Sequence, residues 1–591
     1  MKRTHRPSLA RYVAAITLVG IVAPASPPDV RAEANEARVG RKVEEFSLHD
    51  CRGPVRSLTD WGDAKVVVVA FLGTECPLAN VYVPRLAELS ARWEGKGVAF
   101  VGINSNQQDS ITEVAAHAKR MEIPFPVLKD PANELADRLG AVRTPEVFVL
   151  DRDRVVRYWG RIDDQYGVGY QRKKAGSNDL EAAVEELLDG KPVSRPTTEA
   201  VGCLIGRVKR TSPSGEVTYS NQIARFLLNR CVECHHEGQI APFSLTSYDE
   251  VVGWAEMMKE VVHERRMPPW FAAPEHGNFK NNPSLSKAEI DLLDQWVANG
   301  CPKGDDRDLP PPAAFAEGWG ISQPDQVFYM RDEPYTVPAE GVVSYKHFVV
   351  DPGFTEDHWI KQAEVKAGNP AVVHHVIVFI QQQGSFDFGD PQMAFAPGMT
   401  PRRLENGAAI RVPAGSKLVF QCHYTPNGKE QDDRSYVGFV YAKPEEVTHE
   451  VVGASCGSIS LRIPPHDPNH LVKAEHRFRR DTVLLGMNPH MHLRGKSFKY
   501  ELILPDGTQE TLLDVPKYDF NWQLWYMLEQ PRKIPKGSKM ICTAYFDNSA
   551  DNPANPNPNH TVNWGEQTFD EMMFGFYSTI TPLEKKVEAA Q

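Results

Sequence analysis

Six side chains in the C-terminal third of this 591-residue chain have the donor atoms of transition-metal sites. They are five histidines and one methionine: His374, His375, His423, His490, His492 and Met572. Neutral imidazole is a good ligand for copper, and a soft thioether favours the cuprous ion. These residue types predict two copper sites, one with nitrogen ligands alone and one that also has sulfur. Two coppers can deliver two electrons to dioxygen, as a monooxygenase reaction requires.

The spacing of the histidines divides them between the two sites. His490 and His492 are two residues apart, so on a strand they share one face and can bind one ion. His374 and His375 are adjacent and would point to opposite faces of a regular strand. Both can bind one ion only at a strand end or a bulge, or through different ring nitrogens. His423 completes a three-nitrogen site with this pair, and the methionine completes the other site.

The segment around these residues has the pattern of an all-β structure. Short apolar runs alternate with turns rich in Pro and Gly, as in β-sandwich domains. The clearest runs are 372–380, 417–423, 436–441, 482–487 and 499–504. The segment is too long for one sandwich of about 100 residues. We therefore predict two sandwiches, at residues 325–445 and 446–585.

Four motifs in this segment resemble, in the same order, those of the copper type II ascorbate-dependent monooxygenases, the family of peptidylglycine and dopamine hydroxylation. They are Val-His-His-Val-Ile-Val-Phe at 373–379, Gln-Cys-His-Tyr at 421–424, His-Met-His-Leu-Arg-Gly-Lys at 490–496 and Asp-Glu-Met at 570–572. The resemblance implies two sandwich domains that each hold one copper ion across a solvent cleft.

The resemblance also assigns roles to the two sites. The three-histidine copper would store and transfer an electron, with Gln421 nearby. The copper held by His490, His492 and Met572 would bind dioxygen and abstract hydrogen from a substrate C–H bond. These three residues are therefore the expected catalytic ligands.

Several positions depart from that family. Asn488 stands where the peptide hydroxylases have an arginine that grips a substrate carboxylate, and Phe574 and Phe576 replace aromatic and amide partners. A peptidylglycine substrate is therefore disfavoured, and a less charged organic substrate is expected. Met573, an alternative thioether ligand, stands where the animal enzymes have a disulfide cysteine, so Cys542 lacks its family partner.

The middle of the chain contains the attachment signature of haem c, Cys231-Val-Glu-Cys234-His235. In that chemistry two thiols add to the haem vinyl groups, and the adjacent imidazole becomes the proximal iron ligand. The alternative is a zinc knuckle or a disulfide loop, but no second cysteine pair follows at zinc-finger spacing.

Helical patterns surround this signature, at 220–229 and 285–300. Met267 lies between them and supplies a thioether for the distal iron position, with His263 as the main competitor. This order of helix, haem motif, methionine and helix resembles a monohaem cytochrome c. We predict an all-α cytochrome-like domain at residues 216–308.

The N-terminal region has the alternation of an α/β sheet. Apolar strand-like runs and amphipathic helical patterns alternate at 65–72, 83–93, 97–103, 111–120 and 146–150. The first run leads directly to Cys76, and a cysteine at a helix N-terminus has a lowered thiol pKa. With Thr144-Pro145 before the last run, this order resembles the redoxin and peroxiredoxin branch of the thioredoxin superfamily over residues 38–195. The resemblance implies that Pro145 is cis and faces Cys76.

The redoxin motif also departs from its family. Ala79 stands where a dithiol oxidoreductase would have its second cysteine, so this motif alone cannot exchange a dithiol. Cys203, in Val-Gly-Cys-Leu-Ile-Gly, is a candidate resolving partner for Cys76. The alternative is a redoxin domain with a structural or docking role.

The N-terminus predicts export. Basic residues precede a short apolar run, and small residues follow it, so residues 1–32 have the pattern of a cleaved signal peptide. The net charge of −11 leaves no basic surface for nucleic acid. We expect a periplasmic or secreted bacterial protein without a membrane span in the mature chain. Its nine cysteines are too few for a disulfide scaffold.

Together these patterns predict a multidomain oxidoreductase with two copper ions and one covalently bound haem c. It would hydroxylate an organic C–H substrate with dioxygen. Electrons would come from an ascorbate-like reductant or a redox protein, and the haem domain would pass them on. One alternative is a haem and copper electron-transfer protein without oxygenase activity. Another is a thiol peroxidase that uses Cys76.

Overall fold

The computed structural model describes residues 38–209, 213–312, 318–384, 393–396, 399 and 401–583. The predicted signal peptide lies outside this range. None of the helices in the described part is both long enough and apolar enough to cross a lipid bilayer.

The N-terminal region is an α/β domain, as predicted. Its strands are β1 Ser47–Asp50, β2 Val55–Ser57, β3 Val66–Phe71, β4 Val98–Asn104, β5 Val127–Lys129, β6 Arg143–Thr144, β7 Glu146–Leu150, β8 Val156–Gly160, β9 Tyr166–Gly167, β10 Tyr170–Gln171 and β11 Cys203–Leu204. Its helices are α1 Pro77–Arg92, α2 Ile111–Arg120, α3 Glu134–Leu139 and α4 Asp179–Leu188, with a 3-10 turn at Leu58–Trp61.

A seven-stranded sheet in the order β2-β1-β5-β4-β3-β7-β8 forms the centre of this domain. Strand β3 reads Val-Val-Val-Val-Ala-Phe and every side chain in it is buried, since apolar clusters cover both faces of the sheet. Helix α1 begins immediately after β3, with Cys76 as its N-cap and Pro77 in its first turn. The sheet therefore presents Cys76 just beyond the carboxyl end of β3, one of its inner strands.

The middle region is helical in its described part. It contains a π-helical turn at Tyr219–Ile223 and the helices α5 Ala224–Arg230, α6 Tyr248–His263 and α7 Lys287–Ala298, with a 3-10 turn at Asp306–Asp308. The helix predicted at 220–229 therefore begins as a π-helical turn. Capping boxes at Ser247 and Ser286 start α6 and α7. These few helices do not identify a cytochrome fold, which stays a prediction.

The C-terminal region is rich in β-structure, as predicted. Its first half contains β12 Gln326–Tyr329, β13 Tyr335–Val337, β14 Lys346–Val350, β15 His358–Lys366, β16 Val373–Gln381, β17 Met393–Phe395, β18 Arg402–Arg403, β19 Ala408–Val412, β20 Lys417–Tyr424, β21 Gln431–Asp433 and β22 Tyr436–Tyr441. A 3-10 turn at Pro444–Glu446 precedes the second half. There the strands are β23 His449–Gly457, β24 Arg462–Ile463, β25 His470–Arg477, β26 Thr482–Met491, β27 Gly495–Ile503, β28 Gln509–Val515, β29 Tyr526–Ile534, β30 Lys539–Phe546, β31 Val562–Asn563 and β32 Met573–Pro582.

One nine-stranded sheet runs through both halves of this region, in the order β12-β22-β15-β19-β23-β32-β26-β29 with β18 on β15. The halves join where β19 pairs in parallel with β23. Two four-stranded sheets, β14-β20-β16-β17 and β25-β30-β27-β28, complete the two halves, and each half has its own apolar core. The halves are thus two sandwiches that share a sheet.

The three regions contact one another. Arg143 of the N-terminal α/β domain forms an ion pair of 2.9 Å with Glu260 of α6. Trp270, after α6, packs on Tyr526 of β29 with ring centroids 4.7 Å apart. The helical region is therefore in direct contact with both the N-terminal α/β domain and the second sandwich.

Candidate metal and thiol sites

Strands β16 and β20 bring three histidines together. His375 pairs directly with His423, and the register shifts between Val373 and His375. This bulge allows the adjacent His374 and His375 to reach the same ion, which a regular strand would prevent. One donor atom from each of the three histidines lies within 4.8 Å of the others.

The ring nitrogens of this cluster fit a metal ion. The Nδ1 atoms of His374 and His375 are 3.1 Å apart. That separation suits two imidazoles on one ion at about 2.0–2.1 Å each. His374 Nε2 and His423 Nδ1 are buried and have no hydrogen-bond partner within the described part of the chain. Buried polar atoms almost always have a partner. A bound metal ion would be the partner of His423 Nδ1.

Strand β26 positions the second pair of histidines. His490 and His492 lie on the same face of the strand end, with ring centroids 5.2 Å apart. His490 Nδ1 donates to Gln523 Oε1 at 2.8 Å, and His492 Nδ1 donates to the Asp570 carbonyl at 3.4 Å. These bonds fix the tautomers and leave Nε2 of each ring as the lone-pair donor. His492 Nε2 is buried and has no partner among the described residues.

The pairing of β26 with β32 distinguishes the two candidate methionines. Met573 lies opposite Met491, and both side chains are 0% exposed in the apolar core. Since side chains alternate along a strand, Met572 belongs to the other face, beside His492. The register therefore favours Met572 as the thioether on the histidine face.

A buried carboxylate holds the backbone around this second site. Glu571 is 0% exposed and accepts hydrogen bonds from the amides of His492 at 2.8 Å, Arg494 at 2.6 Å and Met572 at 3.1 Å. Burial raises the pKa of Glu571 to about 7, against the lowering effect of these amides. Glu571 therefore fixes the backbone of His492 and the backbone of Met572 relative to each other.

The two ligand sets are close neighbours, because two aromatic rings each lie near both of them. The Tyr345 ring lies 4.9 Å from the His423 ring and 6.4 Å from the His492 ring, centroid to centroid. Phe520 likewise lies 6.0 Å from His374 and 5.9 Å from His492. Two aromatic side chains therefore lie between the ligand sets in this structure, and the solvent cleft that the resemblance implies stays a prediction.

Burial keeps all five imidazoles neutral. It lowers the pKa of His374 to about 4 and the pKa of His490 below its usual value. For His375, His423 and His492 burial acts first, and neighbouring histidines lower the pKa further. A neutral imidazole is the form that binds a metal, so the cluster is ready for metal binding without losing protons at neutral pH.

The haem motif lies at the end of α5. Cys231 and Cys234 are free thiols, and His235 Nδ1 donates to the Phe243 carbonyl at 3.2 Å. This bond leaves His235 Nε2 as the available lone pair. Phe243 in turn stacks on Trp254, with ring centroids 4.0 Å apart.

The two candidates for the distal iron position differ. His263 is exposed, and its Nε2 is hydrogen-bonded to Asp294 at 2.9 Å on the surface. Met267 is half-buried, just after α6. This contrast favours Met267, although no described contact joins it to His235.

The redoxin thiols meet at the end of the sheet. The Cys76 thiol donates to the Thr144 carbonyl at 2.8 Å, and Cys203 on β11 pairs in register with Thr144. The Thr144-Pro145 bond is cis, as the resemblance implied. Burial raises the pKa of Cys76, but hydrogen bonds with Cys203, Thr144 and the Ala79 amide together outweigh this, and the pKa falls to about 7. The structure thus places a second thiol beside Cys76, although Ala79 lacks one.

Sequence reasoning missed several of these residues. Gln523, Glu571 and Tyr345 are distant in sequence from the histidines that they contact, and single residues of these types carry no motif. The Asp-Glu-Met motif did include Glu571, so only its role was missed. Cys456 was also missed as a neighbour of Cys542.

Comparison with known proteins identifies one region. The model of the AhpC/TSA family matches residues 39–159. The thiol:disulfide interchange protein DsbE of Allochromatium vinosum is 31% identical over 131 residues, which are 22% of this chain and 70% of that protein. The N-terminal domain belongs to the AhpC/TSA family.

This redoxin domain has further relatives. The thiol-disulfide oxidoreductase ResA of Bacillus cereus is 25% identical over 122 residues, 21% of this chain and 69% of that protein. A hypothetical protein from Sinorhizobium meliloti 1021 has a crystal structure with 33% identity that covers 29% of this chain and 94% of its own, with a TM-score of 0.27. The family model ends at residue 159, before the helical and β-rich regions.

Proposed function

We propose that this protein is an exported oxidoreductase that binds two copper ions and hydroxylates an organic substrate at a C–H bond with dioxygen. The observation that carries this proposal is the buried cluster of five neutral histidines. His423 Nδ1 and His492 Nε2 are buried and have no partner within the described structure. Burying such nitrogens without partners is costly, and metal coordination offsets that cost.

The chain's own residues define two ligand sets. The first is His374, His375 and His423, and the second is His490, His492 and Met572. Copper bound there supplies one-electron redox chemistry towards dioxygen. Gln523 and the Asp570 carbonyl hold the Nδ1 protons of the second set, which directs Nε2 to the ion.

The surroundings of the second set favour an apolar substrate. Phe574 stacks on Phe576 with centroids 5.6 Å apart, and Phe576 lies 5.8 Å from His490. The Asn488 amide donates to the carbonyls of Gln523 and Leu524, at 3.2 and 2.7 Å. It therefore holds the segment that carries Gln523. A substrate without a carboxylate suits this side of the site best.

The helical region would deliver electrons. Cys231 and Cys234 would attach the haem, and His235 and Met267 would hold its iron, which supplies one-electron transfer when bound. Trp270 of this region packs on Tyr526, which follows the segment that carries Phe520 and Gln523. An ascorbate-like reductant or a redox protein would serve as the external donor.

The first experiment measures copper and iron per chain in protein matured with haem in an exporting host. We expect two coppers and one iron, with one copper lost in His490→Ala. His476→Ala is the matched control, because His476 lies on the facing sheet of the same sandwich and contacts Phe478 and Tyr577 instead. One copper or none, with iron intact, would overturn the two-copper proposal and leave an electron-transfer protein.

Thiol–disulfide chemistry is a second function, favoured by the redoxin domain and by relatives named thiol-disulfide oxidoreductase. The Cys76 thiolate would attack an external disulfide or a peroxide, and Cys203 would resolve the product. Two S–H bonds break and one S–S bond forms. A disulfide oxidant takes up two electrons and two protons and leaves as two thiol groups, and a peroxide leaves as an alcohol and water.

This second function is tested by following one round of oxidation of fully reduced protein, freed of reductant, with glutathione disulfide or cumene hydroperoxide as the oxidant. Cys76→Ser should abolish turnover of whichever oxidant the protein uses, while His490→Ala should leave it unchanged. Cys203→Ser should stop turnover after one attack, with the oxidant's fragment or a sulfenic acid retained on Cys76. If Cys76→Ser and wild type turn over both oxidants equally, the redoxin domain has a structural or docking role.

A further inference from the structure

Two cysteines of the second sandwich face each other across its core. Cys456 lies on β23, in the sheet that also contains β26 and β32, and Cys542 lies on β30 of the facing sheet. Their exposed fractions are 2% and 0%. The Cys456 thiol donates to the Met540 carbonyl at 3.7 Å, two residues from Cys542 on the same strand.

The packing around Gly575 shows how close the two sulfurs are. Gly575 pairs with Cys456 across β23 and β32. A side chain at Gly575 would meet Cys542 Sγ at 2.6 Å and the Tyr500 ring at 2.8 Å. Cys542 Sγ therefore fills the space above Gly575, directly beside Cys456. Any side chain at position 575 would displace this sulfur.

We propose that Cys456 and Cys542 form a disulfide that joins the sheet of β26 and β32 to the facing sheet. Two S–H bonds break and one S–S bond forms, and an external protein disulfide of the exporting compartment takes up the two electrons and two protons. Each sulfur contacts the other: this contact lowers the pKa of Cys456, whereas burial first and then the contact raise the pKa of Cys542. The proposal does not depend on copper.

Such a bond would support the second histidine pair. It closes a loop that contains His490 and His492, and such closure stabilises a fold by restricting the unfolded chain. It also ties β23 to the opposite sheet next to β32, whose first residues adjoin Met572. The missing family partner of Cys542 is thereby replaced by a cysteine from another strand.

The test uses full-length protein purified without reductant from an exporting host. After denaturation, free thiols are blocked with iodoacetamide and the peptides are mapped by mass spectrometry. We expect one linked pair of peptides carrying residues 456 and 542. Cys422 is the internal control, because it is 0% exposed and its thiol contacts the Met330 thioether, so it should be alkylated.

A melting experiment tests the bond in the folded protein. Cys456→Ala, Cys542→Ala and the double variant should melt at similar, lower temperatures, since one bond is lost in each. Tris(carboxyethyl)phosphine should lower the melting temperature of wild type and of Cys422→Ala but not of these variants. Alkylation of both cysteines in wild type, with a melting temperature insensitive to the phosphine, would overturn the proposal even if a variant fails to fold.

Discussion

The redoxin domain and the β-rich region both contain a side chain whose lone pair is available at neutral pH, the Cys76 thiolate and the neutral His374 imidazole. Burial has opposite effects on the two. At Cys76, burial opposes the thiolate, and hydrogen bonding with Cys203 is needed to bring the pKa down to about 7. At His374, burial alone lowers the pKa to about 4 and leaves the neutral imidazole. Burial disfavours charge in both places, so the thiol needs donors around it and the imidazole does not.

The two regions also use hydrogen bonds differently. In the redoxin domain the bonds around Cys76 change how much thiolate is present. In the second histidine pair the bonds from Gln523 and Asp570 decide which ring nitrogen is available, since the rings are already neutral. Removing a partner should therefore change reactivity with pH in one region and metal affinity in the other.

The largest effect is expected from His423→Ala. It removes one of three ligand nitrogens that lie within 4.8 Å of each other. Loss of a residue that only hydrogen-bonds to a ligand lowers metal affinity by up to about 100-fold, so loss of a ligand should lower copper affinity at that site by more than about 100-fold. Competition with a cuprous chelator measures this at each site. The second site should keep its ion, and loss of both ions would show that the close sites bind as one unit.

His347→Ala is the matched control for that variant. His347 lies on β14 and contacts Gln421 at 3.0 Å, on the strand that carries His423. It is close to the first site without belonging to the ligand set. An equal loss of copper in His347→Ala would mean that strand packing, rather than ligation, explains the effect.

A smaller effect is expected from Gln523→Leu. Without its acceptor, His490 is no longer held in one tautomer, and affinity at the second site should fall by about 10- to 100-fold. Gln523→Glu keeps an acceptor and should retain more of the affinity. Equal losses at the two sites would instead indicate a general loss of fold around Phe520.

In the redoxin domain, Cys203→Ala should make Cys76 less reactive at pH 7. The thiolate is the reactive form, so alkylation of Cys76 should rise with pH and level off above its pKa of about 7. Without Cys203 the pKa rises, and the rate at pH 7 should fall by about tenfold or more. The rate of iodoacetamide labelling at Cys76, followed by peptide mapping from about pH 5 to about pH 9, measures this shift.

Cys51→Ala is the control for that measurement. Cys51 lies in the same domain, and burial raises its pKa, so it should not contribute to reactivity at neutral pH. Its removal should leave the Cys76 curve in place. If the labelling curve of Cys76 is unchanged in Cys203→Ala, the Ala79 amide at the start of helix α1 is sufficient to lower the Cys76 pKa.

Local sequence patterns predicted much of the secondary structure. The helix Ile111–Arg120 and the strands Glu146–Leu150 and Tyr436–Tyr441 have the predicted bounds. Each has a signal within a few residues, such as the capping box of Ser110 and Glu113. Longer elements were underestimated: Thr482–Met491 extends beyond the predicted apolar run, because pairing with β29 and β32 continues past it.

The sites were less predictable than the strands, because long-range pairing completes them. Alternation sufficed to place His490 and His492 on one face, but the bulge at His374 depends on the register with β20. The approach of Cys203 to Thr144 depends on a chain segment that returns after the domain has ended. No local pattern encodes such a return, so the sequence offered Cys203 only as a candidate partner for Cys76.

The smallest effects should separate the two methionines. Met573→Leu conserves volume at a fully buried position opposite Met491, so it should change the free energy of unfolding by less than about 1.5 kcal/mol and keep both coppers. Met572→Leu should leave stability within about 0.5 kcal/mol, since the side chain is only half-buried on the other face. It should weaken cuprous ion binding at the second site alone. The reverse pattern, with copper lost in Met573→Leu, would mean that the β26–β32 register is shifted by one residue and that the core and ligand faces are exchanged.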